Sequence, residues 1–407
     1  MAELVPRERG GGRLARAAAA LRAETPAERL RLLRVVLALA TLGGFALSHR
    51  LWLSTGRTFP TVPVFDFLPR VPAPLDLAWL AALAALLAWS AASKRPRPYL
   101  FASLALAVSL ALWDQTRWQP WFYQYVFVLF VLAAAPEGAG GEEATLRACG
   151  LLVASLYFWA GVQKLNPRFF DEVVPSLVTG LPAALARLVT PLAVLVPLTE
   201  VCAGLLLLTH RWRRVGVALA LATHVCVLLL FFPSRRNKVV WPWNVAMAAF
   251  VLLIFRDGAH GLRGFLPRGP LSPQSAAVAF FCLMPLLSFF GLWGRYVSGA
   301  VYSGNTARGS LRLSAAVAGG LPPPLRRRLR PADGGAATLD INHWAYADLQ
   351  VPAYPSARVY RGAARRLCES AGAPSEVVLT LAEAPRLFGG PGDVTALDCD
   401  ALSRQTP

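Results

Sequence analysis

Long apolar runs separated by short polar breaks dominate the chain from residue 33 to residue 295. Recurrent runs of this kind predict membrane-crossing helices, which need about 20 apolar residues each. The pattern gives about nine spans, at 33–53, 77–92, 99–113, 121–135, 148–162, 191–209, 215–232, 239–255 and 275–293. Several fall short of that length, so their ends must extend into flanking aromatics. Residues 169–188 are amphiphilic and broken by proline. They read as an interfacial or re-entrant piece, with a tenth span as the rival reading.

Beyond residue 295 the pattern changes. Residues 302–314 and 376–381 read as strands, 356–371 as a helix, and 340–348 alternate as a strand does. A Pro- and Arg-rich linker occupies 321–331. The expected fold is an all-α polytopic membrane protein with a small α+β C-terminal extramembrane domain. Its parts are a basic cytoplasmic arm (1–32), a transmembrane domain (33–295), the extramembrane domain (296–392) and a disordered tail (393–407), whose Gly, Pro and small polar residues resist ordering.

Composition agrees with a membrane class. Charged residues make up 16% of the 407-residue chain, against about 25% in soluble domains. The net charge of +18 could suggest nucleic acid, but the arginines flank the apolar runs. An anionic lipid surface is the better partner. With nine spans and the N-terminus inside, the inner segments carry about twice the Lys and Arg of the outer ones, which sets N-in and C-out. The N-terminal basic run precedes no short cleavable segment, so the first span reads as a retained anchor. Six cysteines are scattered, with no C-x-x-C pair and no Cys/His cluster at metal-ligand spacing. Cys368 and Cys399 can form one disulfide if the domain lies outside the cytosol.

Polar residues inside or beside apolar runs are the candidates for chemistry, because ionisable groups at membrane depth are costly. Asp114, Gln115, Arg117, Gln119, Gln124 and Tyr125 crowd the turn between the third and fourth spans. Asp114 and Arg117, three apart, can pair with each other. The amides need hydrogen-bond partners where the next apolar run begins. Glu200 lies within the sixth span and His224 within the seventh. A lone histidine on an apolar helix usually packs, but this one has Glu200 and the Trp241, Trp243, Asn244 block for company. Lys164 ends the apolar stretch 148–163, just before an Asn-Pro stop. It either snorkels to the headgroups or, shielded in an apolar pocket, acts as a general base.

The stretch Ala160-GVQKLNP resembles the lysine block of the HTTM membrane domain, the family that includes the vitamin K-dependent gamma-carboxylases. Lys164 matches that family's proposed base, and Gln163 stands where the family has another lysine. His224, followed by the aromatic-Pro block of the next span, is similar to a second family block. The resemblance implies Lys164 and His224 as catalytic residues and a reduced quinone of vitamin K or menaquinone type as cofactor. Asp114, Gln115, Arg117, Gln119, Gln124, Tyr125, Glu200, Trp241, Trp243 and Asn244 would line the substrate site, with no metal. No histidine lies between His49 and His210, where the carboxylases carry a further catalytic one. Two function classes follow: a quinol-consuming membrane enzyme, or a non-catalytic accessory or lipid-binding membrane protein.

Overall fold

The computed structural model describes residues 25–404 apart from 70, 139, 180, 235–236, 257–260, 267–270 and 386–391. Most of the basic arm 1–32 therefore lies outside the described residues. Among the described residues nine apolar helices follow: α1 (Pro26–Leu47), α2 (Ala73–Ala92), α3 (Arg97–Leu112), α4 (Pro120–Ala133), α5 (Gly141–Lys164), α6 (Leu195–Leu207), α7 (Arg213–Ser234), α8 (Val240–Ile254) and α9 (Pro273–Leu287).

The expected count of about nine spans is matched only in part. Among the described residues six segments are long and apolar enough to cross a membrane. These are α1, α2, α5, Ala183–Leu207 (which ends in α6), Arg213–Leu230 within α7, and Pro273–Phe290 (which contains α9). Helices α3, α4 and α8 are apolar but have 16, 14 and 15 residues, below the about 20 of a typical span. Local chemistry sets these limits. Proline opens α2, α3, α4 and α9, where its missing N–H costs nothing. Thr25 and Glu28 form a capping box on α1. Helix α5 ends where Asn166 turns the chain, its Oδ1 accepting from the Phe169 N–H at 3.1 Å. The segment read as interfacial or re-entrant holds a π turn (Phe169–Val173) and the short helices Val174–Val178 and Ala183–Val189.

Helix α5 is central: 61% of its apolar window is buried within the protein, against 22% for α2 and for α7. It packs on α6, α9, α8, α4 and α1. Its closest partner is α6, and glycine makes the approach possible. A Cβ on Gly161 would lie 2.6 Å from the Pro197 carbonyl, and one on Gly204 would lie 2.6 Å from that of Ala154. Small residues let membrane helices meet backbone to backbone.

The C-terminal domain is a five-stranded antiparallel sheet, ordered β2-β3-β1-β4-β5. The strands are β1 (Arg308–Leu313), β2 (Arg330–Pro331), β3 (Ala337–Asp340), β4 (Val377–Ala382) and β5 (Val394–Leu397). In central β1, Leu311 pairs with Leu339 on one side and Leu379 on the other. Helices α10 (Ile341–Leu349), α11 (Ala357–Cys368) and α12 (Cys399–Arg404) complete the domain. Of the strand expected at 302–314 only 308–313 forms, and the linker 321–331 holds a short helix (Pro323–Arg326) and β2. Two further expectations change here. Residues 341–349 form a helix, not a strand, because the Asp340 side chain caps it by accepting the His343 N–H at 3.1 Å. Residues 394–397 and 399–404, expected to be disordered, form β5 and α12. Cys368 and Cys399 are joined as a disulfide, which ties the end of α11 to the start of α12.

The domain is clamped to one end of the bundle. Asp348 accepts the backbone N–H groups of Thr58 and Phe59, each at 2.6 Å, and pairs with Arg50 at 3.2 Å. Trp344 packs edge-on to Phe59 and donates to Thr58 Oγ1. Asn166 donates to the Ser303 carbonyl, and Asn237 donates to the Tyr302 hydroxyl.

Candidate functional site

Four helices bring ionisable and polar groups together near the domain end of the bundle. Tyr157 and Lys164 lie seven residues apart on α5. Two turns of a 3.6-residue helix put them on one face. Lys164 Nζ donates to Glu200 Oε2 of α6 at 2.7 Å and to the Ala160 carbonyl at 3.1 Å. The Lys164 and Glu200 side chains are only 8% and 11% exposed. Lys164 is therefore neither snorkelling nor alone in an apolar pocket: it is half of a buried ion pair.

Beside this pair runs a neutral line. Asn244 of α8 donates from Nδ2 to the Val240 carbonyl at 2.7 Å, which leaves its Oδ1 as an acceptor. That oxygen lies 2.8 Å from His224 Nδ1. The proton is thereby assigned to Nδ1, and His224 Nε2 accepts from the Tyr157 hydroxyl. Glu200 is within electrostatic reach of that hydroxyl. The arrangement ties four helices together through side-chain hydrogen bonds and one ion pair. Among the described residues no three His, Cys, Asp or Glu side chains gather as metal ligands do.

The other candidates lie apart from this cluster. Asp114 and Arg117 do not pair with each other. Asp114 pairs with Arg57 at 2.7 Å, both side chains almost wholly buried. Arg117 donates to the carbonyls of Leu51, Trp52 and Leu110 at 2.8–3.0 Å. Burial lowers the Arg117 guanidinium to about 10, a shift that Asp114 opposes and Arg57 adds to; it stays cationic at neutral pH. Gln115 accepts from the Ser356 hydroxyl. Gln119 donates to the Pro352 carbonyl and accepts from the Tyr296 hydroxyl. These four residues fasten the α3–α4 turn to the first loop and the C-terminal domain. Deeper in the bundle, Gln124 accepts from the Trp243 indole at 2.6 Å and donates to the Met247 sulfur, joining α4 to α8. Tyr125 is buried with its hydroxyl unpartnered, and Trp241 is partly buried at the start of α8.

Sequence reasoning missed Tyr157, Arg57 and Gln163 as site or support residues. Gln163 accepts from Asn305 at 2.7 Å and donates to Ser288 at 2.9 Å, joining α5 to the segment beyond α9. The seven-residue spacing from Lys164 was the signal for Tyr157. Arg57 and Gln163 carry no local signal, since their partners are remote in sequence.

The comparison with known families bears directly on these helices. Residues 142–226 match the family model of Methylamine utilisation protein MauE. The match runs from the start of α5 to just past His224 and contains Tyr157, Lys164, Glu200 and His224. It overturns the HTTM resemblance, and with it the carboxylase-like reaction read from Lys164 and His224. The short lysine block was the misleading element, because a lysine ending an apolar helix before Asn-Pro is not specific to one family. No curated protein and no solved structure matches the chain.

Proposed function

We propose that this chain is a multi-pass membrane protein with an accessory, MauE-type role in methylamine utilisation. The observation that carries the reading is the coincidence of the MauE match with α5–α7, the helices that supply the buried Lys164–Glu200 pair and the Tyr157–His224 contact. In this role the polar cluster fixes the bundle, and the bundle presents the clamped domain to partners outside the membrane. A methylamine-utilising bacterium lacking its own MauE provides the test. Growth on methylamine restored by this chain, and lost again in Glu200→Leu, is the expected result. No growth despite membrane insertion would overturn the methylamine role.

All nine apolar helices cross in this proposal, with the N-terminus inside and the sheet domain outside. Alternate inter-helix loops meet the domain, the opposite side together with the N-terminal arm carries about twice the Lys and Arg, and the Cys368–Cys399 disulfide suits an oxidising compartment. Cysteine placed at exposed Thr61 should react with an impermeant maleimide on intact cells, whereas cysteine at Lys94 should not. The reverse pattern would invert the topology.

A further inference from the structure

A cleft of about 700 Å³ opens between the first loop of the membrane domain and α11. Residues from Ser54 to Val71 form one wall, and Arg358, Arg365 and Arg366 form the other. Asp76 and Trp113 contribute to its lining from the membrane side. This cleft is separate from the Lys164 cluster.

Asp76 sits in the first turn of α2 and is only 2% exposed. Ser54 donates its N–H and its hydroxyl to Oδ2. The other oxygen, Oδ1, is buried with no partner. A buried carboxylate oxygen without a donor is costly. Trp113 and Trp79 meet edge to face, with ring centroids 4.5 Å apart, and both indole N–H groups are also buried without acceptors. One end of the cleft therefore offers an open acceptor, an open donor and an aromatic wall. This combination suits an ammonium group with an attached oxygen.

The opposite wall carries Arg358, Arg365 and Arg366 beside Glu369. Arg57 and Arg117 line the Asp76 side, but Arg57 is taken up by Asp114 and Arg117, though within electrostatic reach of Asp76, by three backbone carbonyls. Among the described residues, Arg358 pairs with Asp66 and Arg366 with Glu369, both in partly exposed pairs. Such pairs are weak, so both guanidinium groups are available to a phosphate. A simple cation is disfavoured among these arginines, whereas a zwitterion satisfies both walls.

The surroundings identify lipid as the source. Leu75 and Leu77, on either side of Asp76, are exposed on α2, as an apolar helix face in lipid would be. Phe65 and Phe67, on either side of the lining residue Asp66, stack on each other at 5.4 Å, and Phe67 is 81% exposed. An exposed aromatic pair on a loop at a helix end belongs at the lipid interface.

We propose that this cleft binds the headgroup of an ethanolamine phospholipid, with the ammonium on Asp76 and the phosphate on Arg358 and Arg366. The site does not depend on the methylamine role. The test is mass-spectrometric counting of lipids that co-purify from membranes containing phosphatidylethanolamine and phosphatidylglycerol. The wild-type chain should retain phosphatidylethanolamine well beyond its share in the membrane. Asp76→Asn keeps an oxygen for Ser54 but replaces the open acceptor with a donor, and should reduce that enrichment about tenfold. Trp113→Phe leaves Ser54 and Asp76 untouched and should reduce it several-fold, so the test survives if Asp76→Asn misfolds. Wild-type lipid in the same ratio as the bulk membrane, or enrichment unchanged in folded variants, would overturn the site. Equally tight binding of soluble phosphoethanolamine, measured by calorimetry, would overturn the lipid assignment and make the ligand a free zwitterion.

Discussion

At the scale of single residues, the Lys164–Glu200 pair has the largest energetic consequence. A buried ion pair gains little net stability, but removing one partner strands the other charge, at a cost of about 3–5 kcal/mol. Lys164→Met and Glu200→Gln should each lower the melting temperature of the purified protein sharply. The double variant should recover most of the loss, and strictly additive losses would show that the two side chains are not coupled. Tyr354 gives a pH-dependent counterpart outside the membrane. Burial raises its hydroxyl to about 12 from the ordinary 10, so the folded state binds this proton more tightly than the unfolded chain. The resulting stability is complete below pH 10 and is lost as pH rises through 12. Tyr354→Phe should flatten that part of the alkaline stability curve. Individual residues were partly legible in the sequence: Lys164, Glu200, His224 and Asn244 all stood out as polar groups in apolar runs. Their pairing was not legible, because it depends on how helices α5–α8 face one another. Tyr157 escaped because a tyrosine in a span reads as packing.

At the scale of elements, the crossing of α5 and α6 is the tightest fit. Because a Cβ at Gly204 would meet the Ala154 carbonyl at 2.6 Å, Gly204→Leu must push the helices apart and stretch the 2.7 Å contact between Lys164 and Glu200. The expected outcome is poor yield of folded protein on size-exclusion chromatography, with Gly204→Ala milder. Normal behaviour of Gly204→Leu would mean that the crossing can relax. In the domain, Asp340→Ala should cost about 1 kcal/mol through loss of the α10 cap, measured by chemical unfolding. Apolar runs located all nine helices, since hydrophobicity is a local property. They did not give the helix lengths, because helix ends depend on local stops such as the Pro120 start of α4 and the Asp114 turn before it. They also misread 341–349, where alternation suggested a strand and a capping aspartate nucleates a helix.

At the scale of the whole molecule, membrane bundle and sheet domain are joined by polar contacts between remote segments. Asp348 gathers two backbone N–H groups and Arg50. Asp348→Ala should loosen the domain without unfolding the bundle, seen as faster proteolysis near residues 291–307. An unchanged digestion pattern would show that other contacts suffice. The presence of a membrane part and a mixed C-terminal domain was readable from composition and pattern. The docking was not, since Thr58 and Asp348 are 290 residues apart and neither carries a local mark of the other.

That separation also orders events in time. The first loop is made early, but the carboxylate that gathers its N–H groups arrives only when most of the chain has been synthesised. Until then Thr58 and Phe59 lack that partner, and the adjoining cleft lacks the wall that α11 supplies. A ribosome paused before α10 thus leaves a bundle whose first loop is still open to water, lipid and chaperones, and the finished architecture closes from its end back to its beginning.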